Sequence, residues 1–347
     1  MNLENKKQIM QTMYAEAKVM LNELCPKEID LDKYFNLEKS FKTKNDILFT
    51  LLISLQDKQM SYNVIGILKP ERKEIFRKLL FDFDCDMILN NYNDESLLTT
   101  FSKNFNINNI DSKQNLWRLY AKSVISSAQF LNTFNSAEEF DMFVNKYNDN
   151  KLELITLLQS KIYGLGFALA CNFLKDLGYS EYSKPDVHIK DIFLAFELCN
   201  NDEYSVFNSV AEMSKIVNDS AFNIDRLFWL ICSGKLYLDD ANIGRHKEEF
   251  IDRVMNKLVS NDMEQEQTIS VPNINNINID SDNDIITLGT TKCSKFKNNY
   301  KYDYARITLN DKITDTFFNG YDKDTKAIDV IIKYDKNKDV LIIEKIV

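Results

Sequence analysis

The sequence predicts a mainly α fold followed by a small C-terminal antiparallel β module. Apolar residues recur at helical spacing along most of residues 1–258. From residue 285 the pattern changes to β-branched runs such as AIDVIIKY and DVLIIEKIV, which the turn-like DKNK separates. Between these regions, residues 259–284 are rich in Asn, Asp and Ser, which is typical of a low-complexity acidic linker. We therefore expect a helical domain over 1–258, a linker over 259–284 and a β module of unknown role over 285–347.

Two helices are predicted in the N-terminal part of the chain. Ile9, Met13, Ala17 and Met20 fall on one face and mark the first helix. Residues 46–55, DILFTLLISL, are apolar nearly all round, which predicts a central buried helix that is too short to span a bilayer. The sequence has neither a secretion signal nor a run near the ~18 apolar residues of a membrane span, so we expect a cytoplasmic protein without a membrane partner.

Most of the functional information lies in residues 161–193. Gly164 and Gly166 can take φ values that other residues avoid, so the chain can reverse there and expose consecutive backbone N–H groups. From Phe167 the apolar residues recur at helical spacing, so a helix N-terminus directs its partial positive charge at the same amides. This hairpin is expected to bind a phosphate.

A second helix start follows the hairpin. Gly178 is expected to end the first helix, and Pro185 opens a helix with Ile189 and Ile192 on its apolar face. Asp186 stands at the start of that helix. An Asp at such a position is commonly an N-cap that stabilises the helix by about 1 kcal/mol, and a capping role does not exclude a catalytic one.

In order and spacing, the two motifs resemble those of the helix-hairpin-helix DNA glycosylases, the superfamily with a Gly-Pro-Asp signature. The family hairpin reads Leu-Pro-Gly-Val-Gly, and residues 162–166 read Ile-Tyr-Gly-Leu-Gly. The family catalytic element reads Val-Asp-x-His, and residues 185–188 read Pro-Asp-Val-His. The resemblance implies a two-lobed helical fold, double-stranded DNA as the partner and removal of a damaged or modified base that is flipped out of the duplex. It covers roughly residues 46–254.

The resemblance also assigns roles to individual residues. It implies that Asp186 is the catalytic carboxylate, which stabilises positive charge on the sugar and orients the attacking water. It implies that His188 orders the site or the strand beside it, with plain packing as the alternative for this residue. Tyr163 replaces the hairpin proline, so it is expected at the DNA face with Gly164, Gly166 and Lys190.

The sequence departs from the family pattern in two respects that concern chemistry. Bifunctional members carry a lysine two residues after the second hairpin glycine, and this chain has Ala168 there, which cannot form a Schiff base. We therefore expect a monofunctional enzyme without lyase activity. The six cysteines stand singly, which predicts no iron–sulfur cluster. We expect no cofactor, with a monovalent or divalent cation at the hairpin as the alternative.

Further site residues are weaker predictions. Gln56 and Gln59 follow the central helix at the corner where family members insert a polar side chain into the gap left by a flipped base, and a solvated corner is the alternative. Tyr120, Phe167 and Trp229 could stack on a base, but aromatic side chains more often belong to helical cores.

The overall charge argues against broad nonspecific binding to nucleic acid, because 43 Lys and Arg face 52 Asp and Glu, a net charge of -9. Residues 260–290 hold six acidic and no basic residues, so much of the excess is confined to one segment. Residues 285–347 hold twelve basic and nine acidic residues, a balance that suits contact with DNA or a protein, or a merely solvated module.

The sequence thus favours a monofunctional DNA glycosylase that uses Asp186. Three alternatives stay open: a helix-hairpin-helix protein that binds DNA without chemistry, an interaction protein whose hairpin only packs, and a defence glycosylase that acts on modified phage DNA. The sequence does not name the base, because the walls of a base pocket come from several helices.

Overall fold

The fold is mainly helical, as the sequence predicts. The structure, a computed structural model, describes the backbone of residues 3–58, 62–267, 279–280, 285–288, 295–297, 303–305, 330–335 and 340–345, and the side chains of residues 3–58 and 63–260. Its helices are α1 Leu3–Leu24, α2 Lys44–Gln56, α3 Tyr62–Ile65, α4 Pro70–Leu79, α5 Cys85–Asn91, α6 Asp94–Phe105, α7 Leu116–Leu131, α8 Ala137–Asn145, α9 Lys151–Lys161, α10 Phe167–Asp176, α11 Val187–Ala195, α12 Glu203–Val217, α13 Ala221–Ser233 and α14 Lys247–Gln267.

The helices form two lobes, each with its own hydrophobic core. Helices α2 to α10 surround the first core, to which Phe207 of α12 also belongs. Helix α1 and helices α11 to α14 surround the second core, where α1 packs against α12 and α13. The chain therefore crosses from the second lobe to the first after α1 and returns between α10 and α11. That return carries the Asp186 segment.

Helix α2 is the central helix of the first lobe, as its uniform apolar character predicts. Thr43 caps its start and Asp46 closes a capping box with it, so two backbone N–H groups of the first turn find side-chain acceptors. Leu48, Leu51 and Leu52 are fully buried. The helix ends at Gln56, one residue beyond the predicted apolar run.

The segment that leads from the first lobe back to the second begins at the C-terminus of α10. Gly178 has φ +102°, and a Cβ there would lie 2.6 Å from the carbonyl oxygen of Glu38. Only glycine fits both the left-handed backbone and this close approach. Tyr182 and Pro185 are buried in the following loop, so the loop is packed before Asp186 begins α11.

Two features of residues 1–267 differ from the predictions. A short antiparallel pair, β1 Lys235–Leu236 and β2 Ala241–Asn242, interrupts the helical part because Gly234 turns the chain after α13. Helix α14 continues to Gln267, past the predicted end of the helical domain at residue 258, since nothing in residues 259–267 breaks a helix. The division into compact units falls between Met263 and Glu264.

The second unit, from Glu264 to Val347, contains the predicted antiparallel strands. Strands β3 Ile279–Asp280, β4 Ile285–Leu288, β8 Val340–Lys345 and β7 Val330–Asp335 form a sheet in this order. In the register of the β7–β8 hairpin, Ile332 pairs with Ile343. Strands β5 Lys295–Lys297 and β6 Asp303–Ala305 form a separate hairpin.

None of the described helices combines the length and the hydrophobicity needed to cross a bilayer.

The turn after α13 generates a stability prediction. Gly234 has φ +70°, and a Cβ there would lie 1.9 Å from the carbonyl oxygen of Gly244. We expect Gly234→Ala to lower the free energy of unfolding by about 2–4 kcal/mol, because strain and a backbone clash act together. Urea unfolding followed by circular dichroism measures the change.

Gly166→Ala is the matched control, because its φ is -79° and an added Cβ meets nothing within 4 Å. Equal unfolding midpoints for the two variants would contradict the clash at Gly234.

Candidate active site

The hairpin between α9 and α10 is a tight bend packed on α7. Gly164 adopts φ +81°, as predicted, and a Cβ there would lie 3.0 Å from Ser123 Oγ. The backbone N–H of Tyr163 donates to Ser126 Oγ at 2.9 Å, and that of Leu165 donates to the carbonyl of Ile162 at 3.3 Å. Ser126 of α7 therefore holds the bend by a hydrogen bond, and Ser123 of the same helix lies close beside Gly164.

Gly166 departs from the expected geometry. It has φ -79° and ψ 171°, an extended conformation that any residue can adopt, so its backbone does not require glycine. Gly166 is the N-cap of α10 and has no side chain to accept the first-turn amides. The space beside its Cα is open, because an added Cβ there would meet no atom within 4 Å.

One amide of the first turn of α10 already has an anionic partner, because the backbone of Ala168 donates a hydrogen bond to the carboxylate of Glu203 on α12. Partial burial raises the pKa of Glu203, whereas this hydrogen bond and the charge of Lys190 lower it. A carboxylate of the same chain thus lies at the start of α10, where helix polarity favours negative charge. The amide of Ala168 is therefore already paired with Glu203, and the bend amides of Tyr163 and Leu165 are paired with Ser126 and Ile162. The predicted phosphate-binding role of this segment stays a prediction.

Two lysines flank the exposed aromatic ring of the hairpin. Tyr163 is 44% exposed, and the Nζ atoms of Lys58 and Lys122 lie 5.6 Å and 5.9 Å from its ring centroid. A Cβ on Gly164 would lie 3.3 Å from Lys58 Nζ, so this lysine also reaches the bend. Lys58, Lys122 and Tyr163, here called the Tyr163 cluster, form a cationic surface beside the bend. Sequence reasoning missed both lysines because they lie more than 40 residues away in the chain.

Asp186 is the N-cap of α11. Its Oδ1 accepts hydrogen bonds from the backbone N–H groups of His188 at 2.9 Å and Ile189 at 3.1 Å. These two bonds fix the rotamer of the carboxylate. Because both bonds use Oδ1, Oδ2 is the oxygen available to a ligand.

Asp186 lines a cavity of about 150 Å³ between the two lobes. The walls come from α10, from the loop before α11 and from α13. Nearly all lining side chains are polar or charged: Asn172, Lys175, Asp176, Lys184, Asp186, Asp225, Arg226 and Trp229. Helix α10 therefore carries the bend at its start and cavity residues from Asn172 onward, roughly 9 Å further along its axis.

A buried ion pair joins the walls of the cavity. Lys175 Nζ on α10 donates to Asp225 Oδ2 on α13 at 2.7 Å, and both residues are more than nine-tenths buried. The same oxygen accepts the backbone N–H of Lys184 at 2.9 Å. Burial disfavours the charged ammonium, but the carboxylates of Asp225 and Asp176 outweigh this and raise the pKa of Lys175. The raised pKa favours the ammonium form of Lys175, which has no lone pair for nucleophilic attack.

Two more charged groups lie in the same walls. Burial raises the pKa of Asp176, and the charges of Lys175 and Arg226 oppose the shift. Asn172 Nδ2 donates to Asp176 Oδ2 at 2.8 Å. Lys184 Nζ lies 3.8 Å from Asp57 Oδ2, a loose contact that leaves most of its donor capacity free.

The environment of Asp186 opposes its ionisation. Burial raises the pKa of this carboxyl group and so does the negative charge of Asp225, whereas the Ile189 hydrogen bond, His188 and Lys184 lower it. A carboxyl group whose pKa is raised by its removal from water is a common feature of catalytic sites.

Gln56 does not form the predicted DNA wedge. Gln56 is fully buried, and its Oε1 accepts the backbone N–H of Ile67 at 3.0 Å. The side chain of Gln56 points into the protein because it accepts the hydrogen bond of a buried amide. From this position it cannot reach a duplex. Gln59 lies outside the described residues.

Of the three aromatic pocket predictions, only Trp229 lines the cavity. Tyr120 is buried in the first core, where its hydroxyl donates to the carbonyl of Leu52 at 3.2 Å. Phe167 is also buried, with its ring 4.4 Å from that of Tyr204. The physical reason is that their helices turn both rings toward the core.

His188 and Lys190 follow Asp186 on α11 and are partly buried. His188 contributes its charge to the surroundings of Asp186, and Lys190 contributes to those of Glu203. Their predicted DNA contacts stay predictions. Within residues 3–58 and 63–260, no group of three or more His, Cys, Asp or Glu side chains is arranged to hold a metal ion.

The pKa of Asp186 generates a prediction about stability. Because the folded pKa is raised, the carboxyl group favours the folded state only while protonated, and this contribution is lost as the pH rises through the folded pKa. We expect Asp186→Asn to be more stable than the unchanged protein at pH 7, since Asn still caps the helix and needs no charge. The gain should shrink toward pH 4 in urea unfolding experiments.

Asp202→Asn provides the control, because Asp202 caps α12 in the same way from an exposed position. If both variants change the free energy of unfolding equally at the two pH values, Asp186 is not desolvated.

Neither a scan of protein-family models nor a search of curated proteins finds a match. Two solved structures from Methanocaldococcus jannaschii are similar in fold. An 8-oxoguanine DNA glycosylase is 16% identical with a TM-score of 0.40, covering 67% of this chain and 95% of that chain. An 8-oxoguanine glycosylase/lyase in complex with a 15mer DNA containing 8-oxoguanine is 16% identical with a TM-score of 0.38, covering 59% and 86%. Function therefore has to be inferred from the side chains of the site.

Proposed function

We propose that this protein is a monofunctional DNA glycosylase that hydrolyses the N-glycosidic bond of a flipped nucleotide with Asp186. The observation that carries the proposal is the position of Asp186: a fixed, half-buried carboxylate lines a cavity whose wall is the helix that follows the hairpin. Base excision needs a surface that binds the phosphate backbone and a cavity that takes the flipped base. Here one helix, α10, follows the bend and also lines the cavity.

The proposed reaction needs one carboxylate and one water molecule. The C1′–N bond breaks, its electron pair leaves with the base, and positive charge develops on the sugar. Asp186 Oδ2 stabilises this charge and accepts a proton from the water whose oxygen bonds to C1′. The departing base then takes up the proton that Asp186 accepted from the water, so that the base is released neutral and the carboxylate is regenerated. The cap bonds to Oδ1 hold the carboxylate in position throughout.

Hydrolysis rather than lyase chemistry is supported by the lysines present. Position 168, where the resemblance expects a Schiff-base lysine, is Ala168. Lys175 lines the cavity but is held charged by Asp225. Lys184 is the remaining amine in the cavity wall, and it is the residue to test if a covalent adduct forms.

Double-stranded DNA as the partner is supported by the surface around the bend. The Tyr163 cluster offers two ammonium groups and an exposed ring beside the bend. Phosphate contacts of this kind position a duplex without reading its sequence. The net charge of -9 is compatible with this role because the two lysines of the cluster form a local positive surface.

Loss of the carboxylate should abolish turnover. We expect Asp186→Asn to slow base release by about 10²–10⁴-fold, while duplex binding changes little because the cap is preserved. Single-turnover release of free base from duplexes with alkylated, oxidised, deaminated and hypermodified bases measures the rate. Asp202→Asn should release base at the unchanged rate.

Two results would contradict the proposed mechanism. Tight duplex binding without release of any base would favour a DNA-binding protein without chemistry. A covalent adduct trapped by borohydride would indicate lyase chemistry, and its loss in Lys184→Ala would identify the nucleophile.

The Tyr163 cluster generates a prediction about salt dependence. If Lys58 and Lys122 each contact one phosphate, the combined variant Lys58→Gln with Lys122→Gln should weaken duplex binding and reduce the slope of log K against log salt by roughly 1.8. Fluorescence anisotropy between 50 and 300 mM salt, on the order of cellular values, measures the slope.

Lys146→Gln is the matched control, because Lys146 is exposed at the C-terminal end of α8 and is not part of the Tyr163 cluster. Identical slopes for the combined variant and the unchanged protein would show that duplex DNA is bound elsewhere.

A further inference from the structure

Arg226 is a cation of the cavity wall without an anionic partner. No carboxylate of the described residues forms an ion pair with it, and its Nε is buried without a hydrogen-bond partner. Its guanidinium carbon lies 5.2 Å from the ring centroid of Phe222 and 5.1 Å from that of Tyr237. Two aromatic faces therefore hold the guanidinium in place while its donors stay free. An Arg held in this way is prepared for an acceptor-rich ligand.

A carboxylate lies beside this guanidinium in the same cavity. The charge of Arg226 acts on Asp176, yet the two side chains form no ion pair in the described structure. Asp176 Oδ2 accepts from Asn172, so the other oxygen is left for a donor. The cavity thus presents an acceptor, the carboxylate of Asp176, and hydrogen-bond donors, the guanidinium N–H groups of Arg226. A matching ligand has an amino group adjacent to an oxygen-bearing group.

The volume of the cavity limits how large a base can bind. Its volume is about 150 Å³. An apolar cavity of roughly that volume in another protein binds benzene, a single six-membered ring. Small-molecule pockets are usually lined mostly by apolar side chains with few polar groups, whereas here Trp229 is the one aromatic side chain among the eight lining residues. The lining therefore suits a one-ring base with several polar substituents, and Trp229 is the surface for stacking.

We propose, on the basis of the proposed glycosylase function, that the cavity takes a cytosine oxidised at C5, with Arg226 as the specificity-determining residue. The exocyclic amino group donates to Asp176, as cytosine N4 donates to carboxylates in protein–DNA complexes. The neighbouring C5 substituent, a carboxyl, formyl or hydroxymethyl group, accepts from the Arg226 fork. A carboxyl group is the best match because it can accept two parallel bonds from a guanidinium.

The test compares otherwise identical duplexes that carry one 5-carboxylcytosine, 5-hydroxymethylcytosine, cytosine, uracil or 8-oxoguanine. We expect single-turnover release of 5-carboxylcytosine to exceed that of uracil and 8-oxoguanine by about 10- to 100-fold, the discrimination that one bidentate Arg contact provides. Arg226→Ala should reduce this ratio to about 3-fold or less. Arg226→Lys, which keeps the charge but loses the fork, should give an intermediate ratio.

Arg245→Ala is the matched control, since Arg245 is exposed and does not line the cavity. Binding of an unmodified duplex should be equal for all variants, which separates base recognition from folding. If Arg226→Ala does not fold, the inference is tested with Arg226→Lys, by its rate of 5-carboxylcytosine release relative to uracil and 8-oxoguanine. Preferential release of 8-oxoguanine or uracil, or an unchanged ratio in the Arg226 variants, would overturn this inference and leave the proposed function intact. Release of no base from these five duplexes would also overturn this inference, whereas the proposed function is refuted only if no duplex of the wider screen releases a base.

Discussion

The site depends on the buried ion pair between Lys175 and Asp225, because this pair joins the two lobes at the cavity. Asp225 also accepts the backbone N–H of Lys184, which positions the loop that delivers Asp186. Removing one partner of a buried pair typically costs about 3–5 kcal/mol, since the other charge is left without compensation. The cavity thus gains its shape from an electrostatic contact that neither lobe could make by itself.

The same arrangement places several charges in a volume that disfavours each of them. Burial raises the pKa values of Asp176 and Asp186, and Asp225 adds to the effect at Asp186. Packing with apolar side chains would be a more stable solution for a purely structural interface. The desolvated carboxyl group of Asp186 and the unpaired guanidinium of Arg226 are the observations on which we base the proposal of a ligand site here.

Local motifs were predictable, whereas their surroundings were not. Gly164 adopts the left-handed backbone expected from a tight bend, and Asp186 caps a helix as its position before an apolar run indicates. The expectation failed for Gly166, whose backbone is ordinary, and for Gln56, which is buried. Both failures have one cause, because a residue type at a corner of the chain does not reveal which neighbours will pack against it.

The sequence by itself determined the mainly α fold, the change to β strands after the linker, the bend, the helix start at Asp186 and the alanine at position 168. These features follow from propensities and contacts within a few residues. Only the tertiary structure decided that Arg226 shares a cavity with Asp186 and that Lys58 and Lys122 flank Tyr163. Those groups meet because α13 packs against α11, the helix that Asp186 caps, and because the α2 corner and α7 lie against the bend. Such contacts between distant segments depend on how whole helices bury their apolar faces, which no short motif encodes.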